Sequence, residues 1–513
     1  MKKCIVLAIT LMCCVSAFST RYLVELGTGE AASWSAVSGT VINLSAEGYL
    51  NDWFNDVSFV KGDEIWIAAG TYELSGPIDL HRSEDGGRKL YSVYGGFAGT
   101  ETNLEDRLAA GWEFTNETVL DGKGEFQIIK DGTSLSAGGY YAGSSGEYWV
   151  LNGLTLVNGT AENGAAMSVE GALKIQNCQF VANSATNNGG AINGEGARFI
   201  EVTNCYFVKN DAGNHGGAVC IISEECKVLN SIFEFNKALE DGGALKLGNW
   251  GTEEGIVSNC IFRGNIAQQG FGIASLRGST GHAGTIVENC VFTNNSGTHQ
   301  YHENDATLHI LDGVTVVNST IANNIGGIIF DNGEPTRRIL INTLIYGNTN
   351  TFKPGALAND ITNCAIDRDA TTTGAILTDC IDLTALAASA IFENPTTFVG
   401  SPANPSQETA LALANWSLKA NSPCIDAGTA TGAPAYDILG IVRPQEAGYD
   451  IGAYEFICDC VGIKTVENDE PVVSVRYYTL QGMEITKPER NQIYIVKSIF
   501  ESGKTNVVKQ IMR

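Results

Sequence analysis

Along residues 150–366 the chain repeats one arrangement of apolar and polar positions. A branched apolar residue stands two places before an asparagine at Ile175, Val202, Val228, Val257, Val287, Val316 and Leu340. Cys, Ser or Thr follows that asparagine, and Phe or Ile stands two places further on, as in Cys178 and Phe180, Cys205 and Phe207, Ser231 and Phe233. Side chains along a strand alternate between faces, so these three apolar positions cannot share one face of a straight strand. The parity breaks at the asparagine. Each copy therefore reads as two short strands joined by a bend, both pointing alternate residues into a common interior.

The full pattern, Asn-[Cys/Ser/Thr]-x-[Phe/Ile]-x-x-Asn, starts at Asn177, Asn204, Asn230, Asn259, Asn289, Asn318 and Asn342, with a looser copy at Asn152 and a decayed one at Asn363. Recurrence every 21 to 30 residues is the mark of a solenoid. A glycine pair follows twelve places on (Gly189–Gly190, Gly216–Gly217, Gly242–Gly243), where positive φ or close approach between coils is required. Ile192, Val219, Leu245 and Ile273 then open a third strand. Three strands and three turns per period predict an all-β fold, a right-handed parallel β-helix of about a dozen three-strand coils, a rod roughly 55–60 Å long. Stacking would set the corner asparagines in a column whose amides satisfy backbone groups freed by the bend. It would also bury Cys178, Cys205, Cys260 and Cys290 as an interior column of small apolar groups. Cys220 and Cys226 fall outside that register and are candidates for pairing, as are Cys424, Cys458 and Cys460.

The ends read differently. Residues 1–19 have a basic start (Lys2, Lys3), a short apolar core and small residues at Ala17 and Ser19, the form of a secretory signal. Residues 20–60 read as an N-terminal cap, 61–457 as the β-helix, and 461–513 as a small C-terminal β module of short strands with a Gln-Gly turn. No segment is apolar for long enough to predict a transmembrane helix.

The chain is 513 residues long with a formal net charge of −25, only 17% charged residues and 59 glycines. Such a surface disfavours nucleic acid and anionic lipid, and polyanionic sugars unless Ca2+ bridges them. No cofactor is predicted, the chain reads as a monomer, and its expected partner is a polysaccharide or host glycan. No catalytic residue stands out: Asp121 and Asp241 sit at turn positions, and His215 lies beside structural glycines. One stretch departs from the refrain and gathers His299, His302, Glu303, Asp305 and His309, residue types that hold zinc or another transition metal. A polar loop on the rod is the plainer reading of it. Trp66, Trp250 and Tyr301 are candidates for stacking on sugar rings.

The "NCQFVAN" and "GGAI" strings at Asn177 and Gly189 resemble the repeats of polymorphic outer-membrane-type surface proteins. The stretches "GDEIWIAAGTYEL", "YSVYGGFAGTETNLEDR", "SPCIDAGT" and "DIGAYEF" resemble the first and closing coils of secreted bacterial β-helix proteins. The last segment resembles the C-terminal sorting domains of secreted Bacteroidetes-type proteins, with Asn491 where those carry glycine. The resemblance implies export to the medium or the outer surface and a role in adhesion or glycan binding. A polysaccharide lyase or glycoside hydrolase working in a groove on one face is the alternative.

Overall fold

A computed structural model gives the fold. It describes residues 19–26, 34, 37–44, 49–80, 90–107, 109–131, 148–249, 255–268, 274–277, 284–297, 306–310, 313–330, 339–349, 360–367, 376–445, 447–457, 472–478, 484–486, 493–500 and 505–511. The chain divides into two units, Met1–Phe456 and Ile457–Arg513. Residues 1–18, which carry the signal-like segment, lie outside the described residues.

The first unit is a parallel β-helix. Its strands line up in sheets of fourteen, twelve, nine and six, with successive coils paired in parallel. A central coil has four strands rather than three. In one coil these are Ala172–Gln176, Gln179–Val181, the two-residue Ser184–Ala185 and Ile192–Glu195. The extra strand exists because there are two sharp bends, at the asparagine and five residues later.

Each bend has its own physics. Asn177, Asn204, Asn230, Asn259, Asn289, Asn318 and Asn342 all adopt left-handed backbone, φ +42° to +55°, a conformation asparagine tolerates better than other non-glycine residues. In the looser copy, Asn152 pairs with Gln176, so Gly153 (φ +75°) takes the bend and the copy is offset by one residue. The second bend is left-handed at Ala182, Lys209, Phe235, Asn294 and Asn323, with no common residue type. What recurs is the buried asparagine that follows it. Asn183, Asn210, Asn236, Asn265, Asn295, Asn324 and Asn348 are each 0% exposed. In each of the first six, Nδ2 donates to the Oδ1 of the next at 2.8–3.0 Å. The same Oδ1 accepts the preceding coil's asparagine backbone N–H at 2.8–3.0 Å.

The buried amide column is thus at this second asparagine. The corner asparagines bond along the stack only in part, at Asn177–Asn152, Asn204–Asn177, Asn259–Asn230 and Asn342–Asn318.

The interior column after each corner is also a hydrogen-bonding device. The Sγ atoms of Cys178, Cys205, Cys260 and Cys290 donate to the carbonyl two residues back at 3.2–3.4 Å. Ser231, Ser319 and Thr343 do the same with hydroxyls at 2.8–3.0 Å. A donor that closes over the left-handed corner is the shared requirement, which is why Cys, Ser and Thr interchange there. All four cysteines are buried and free. Cys220, Cys226 and Cys424 are also free, so the pairings considered for them do not form; Cys458 and Cys460 lie outside the described residues.

Phe180, Phe207, Phe233, Phe262 and Phe292 stack in the core with centroids 4.7–4.8 Å apart and planes within 7°. The glycine pair splits its duties. Gly189, Gly216 and Gly242 take φ of +63° to +66°, whereas a Cβ on Gly190 or Gly217 would lie 2.0 Å from a carbonyl of the next coil.

At the N-terminal end, strands Arg21–Leu26 and Thr40–Leu44 join the fourteen-stranded sheet. Helix Leu50–Asp56 and a ring cluster of Phe54, Phe59 and Tyr91 fill the core there. At the other end the last coil strand is Ile381–Asp382. Among the described residues of 383–456 no further coil forms. They turn back over the twelve-stranded sheet and build a second core on its outer face from Leu383, Ile391, Phe392, Trp416, Leu418 and Ile451 against Ala322 and Leu344. The second unit is a four-stranded antiparallel sheet of Glu484–Ile485, Val472–Tyr478, Ile493–Phe500 and Thr505–Ile511, in that order.

Candidate functional site

The twelve-stranded sheet lies between the two left-handed corners. Its rings point inward, so the alternate residues Tyr206, Val208, Ile232, Glu234, Ile261 and Arg263 point outward. Both ends of this outer face are covered. On the N-terminal side, the Arg107 guanidinium sits 5.1–5.7 Å from the rings of Tyr94, Phe97 and Phe114 and donates to Gly95 O at 2.7 Å and Asn152 Oδ1 at 3.2 Å. This fixes the segment that carries Trp112, whose ring stacks on Tyr206 at 5.6 Å and 16°.

On the C-terminal side, residues 426–456 dock on the corner asparagines. Asn289 Nδ2 donates to Tyr436 O at 2.7 Å, Asn318 Nδ2 to Asp450 O at 3.0 Å, and Asn342 holds both the N–H and the carbonyl of Thr429. A buried ion pair, Arg443 with Glu455 at 2.6 Å, locks this strap, and Arg443 also reaches Asn289 Oδ1 at 3.3 Å. Burial, offset in part by hydrogen bonds from Phe456 and Asp426, pushes the neighbouring Asp450 carboxyl up to about 7.

Between the covers an open stretch remains. Its floor is Ile232 and Ile261, which continue the row of Tyr206, with Val208 in the neighbouring row; all are half-buried. Across it runs a fixed polar line: Tyr206 Oη donates to Glu234, and Arg263 Nε pairs with the other Glu234 oxygen at 2.8 Å. Burial, and next the hydrogen bond to Glu234, push the Tyr206 phenol well above its usual range. At neutral pH it is a hydrogen-bond donor and not a base. Glu234 accepts from Tyr206 on one oxygen and lies in ion contact with Arg263 through the other, without a hydrogen bond at Nε among the described residues; the neighbouring cation favours its ionised, charge-paired form. Along the edge of this stretch the corner column is broken. Asn204 bonds back to Asn177 and Asn259 to Asn230, but among the described residues nothing joins Asn204 to Asn230. Among the described residues neither Asn204 Oδ1 nor Asn230 Nδ2 has a hydrogen-bond partner; Asn230 is exposed, and Asn204 is half-buried beside Gly111 of the Trp112 segment.

The other candidates fall elsewhere. Trp66 is 1% exposed and stacked on Phe97 at 4.6 Å, so it cannot meet a sugar; Trp250 and Tyr301 lie outside the described residues. His299, His302, Glu303 and Asp305 also lie outside them. His309 is buried on the nine-stranded sheet. Among the described residues no three His, Cys, Asp or Glu side chains are placed to hold a metal ion. Asp121 accepts from Lys123 N at 2.8 Å, as a turn residue does. His215 lies 3.6 Å from Glu240 and 3.7 Å from Asp241, and burial, with Lys246 next, holds its pKa below the usual value. Trp112, Tyr206, Glu234 and Arg263 carry no motif and were not singled out by the sequence. The signal was an aromatic or charged residue at an outward register position, visible only once the inward positions are assigned.

No family model matches the chain, and no curated protein matches it. Among solved structures it is similar to the PL6 family polysaccharide lyase from Pseudopedobacter saltans, at 13% identity and a TM-score of 0.33, over 78% of this chain and 96% of that chain. A likeness of that size places no chemistry on this protein. No helix among the described residues is long and apolar enough to cross a membrane.

Proposed function

We propose that this is an exported, non-catalytic β-helix that binds glycan on the open stretch of the twelve-stranded sheet, displayed at the cell surface or released as an adhesion protein. The supporting observation is the Trp112–Tyr206 platform, two half-buried rings beside a fixed Tyr–Glu–Arg line. Apolar faces with a few oriented polar groups are what a pyranose ring requires. Repetition of such contacts along a rigid rod suits multivalent attachment. The signal-like N-terminus and the C-terminal β module support export, with the module acting as a sorting element.

The rival reading, a lyase or hydrolase, draws on the same Glu234–Arg263 pair. It is opposed by the mutual pairing of those two groups and by the raised Tyr206 phenol. Glycan-array binding by the intact protein, beside reducing-sugar and unsaturated-uronate assays, tests both. Binding lost in Trp112→Ala with no turnover supports the proposal. Turnover abolished by Glu234→Gln ends it.

A further inference from the structure

Resting on that carbohydrate reading, we propose that the open stretch takes an uncharged linear glycan laid along the stack, about one pyranose ring per coil, for three coils or so. Three observations point there. First, the floor has the period of the coils. The outward residues of successive rungs, Tyr206, Ile232 and Ile261, are in register, and the core rings directly beneath them step by 4.7–4.8 Å. An extended chain of pyranose rings repeats at nearly that spacing, so successive rings step from the Trp112–Tyr206 rung onto Ile232 and then Ile261.

Second, an aromatic residue stands near each end of the stretch. Trp112 stacks at the Tyr206 rung, and Tyr436, 57% exposed, is carried by the strap at the Asn289 corner, where Val291 becomes fully covered. From Tyr206 to Val291 is three coil steps, about 14 Å.

Third, the polar equipment is neutral. Glu234 and Arg263 cancel each other, and the chain as a whole carries −25, which opposes a polyuronate. What the edge offers instead, among the described residues, is one unpaired acceptor, Asn204 Oδ1, and one unpaired donor, Asn230 Nδ2, on neighbouring rungs. Sugar hydroxyls both donate and accept, so adjacent hydroxyls of one ring can satisfy both. Elsewhere the same corner is already used this way: Asn342 engages a donor and an acceptor of Thr429 together.

The test is calorimetry on the full chain with neutral oligosaccharides of two to six residues (gluco-, xylo- and manno-series) and with uronate oligomers of equal length. Affinity for one neutral series should rise to three or four residues and then level. Asn230→Gly keeps the positive φ that the corner needs and should weaken binding about three- to tenfold, the worth of one neutral hydrogen bond. Tyr436→Ala, on an exposed ring whose loss cannot unfold the core, should shorten the plateau by about one residue. Trp112-dependent binding confined to uronates would overturn the inference and leave the carbohydrate reading standing. So would affinity indifferent to length or to Asn230→Gly. Absence of binding to every sugar tested would sink both.

Discussion

Replacing Asn236 with alanine tests the central claim about the interior. Its Oδ1 accepts the backbone N–H and the Nδ2 of Asn210 at 3.0 and 2.9 Å, and its own Nδ2 donates to Phe207 O and Asn265 Oδ1 at 2.9 and 3.0 Å. Asn236→Ala removes four hydrogen bonds and strands two fully buried donors on Asn210. Leaving a buried donor unsatisfied costs about 1–3 kcal/mol each, so the loss is about 4 kcal/mol. Unfolding entropy of ~2.1 cal/mol/K per residue over the β-helix gives roughly 0.9 kcal/mol per degree, and the melting temperature should fall by about 4 °C. The matched control is Asn259→Gly at the half-exposed corner, where glycine keeps the bend and water replaces the amide; it should cost less than about 1 kcal/mol. Differential scanning calorimetry on the three proteins reads the contrast. Equal shifts, or a larger one for Asn259→Gly, would mean that the buried amides do not hold the coils together.

Other outcomes follow from the same contacts. Phe233→Ala, in the middle of the ring stack, should destabilise by about 3–5 kcal/mol in urea titration, more than the same change at Phe180, which has a ring on one side only. Cys380 is half-buried, and the hydrogen bond from Cys364 lowers its thiol to about 7. It should be the first described thiol alkylated by iodoacetamide in the folded protein, with a rate midpoint near pH 7, located by peptide mapping; a midpoint near 9 would refute the contact. Asp450, raised to about 7 by burial, binds a proton more tightly folded than unfolded. Its contribution is present at low pH and lost as pH rises from about 4 through 7. Asp437 and Glu455 beside it are also raised by burial, and Arg443 faces all three. Asp450→Asn should flatten that slope by on the order of 2 kcal/mol, read from urea midpoints between pH 4 and 8.

Most of the coil was legible because it is periodic. The branched residue before the corner, the phenylalanine after it and the glycine pair each recur at fixed offsets, and the structure gives each offset one physical duty. Two things were not legible. The last asparagine of the seven-residue pattern recurs as faithfully as the first, yet position alone does not say which of two columns is sealed inside; that depends on the second bend, where Ala182, Lys209 and Phe235 share no chemistry. The site was hidden for the opposite reason. Trp112 and Tyr206 lie 94 positions apart in the sequence, and only the insertion held by Arg107 brings their rings together. Residues 422–429 and 450–456 read like closing coils, yet the strap of residues 426–456 spends its hydrogen bonds on corners already built.

The amide column also bears on how such a chain can change over evolutionary time. Every interior asparagine meets its neighbours through the same atoms, so any one of them is an equally good partner for any other. Excising one whole period between two equivalent positions would bring Asn183 against Asn236 and leave every bond remade, whereas a single substitution leaves a gap that no neighbour can fill. Rods of this kind are therefore free to grow or shrink in whole turns and tightly constrained within one, and the length of the ligand they can carry changes in the same discrete steps.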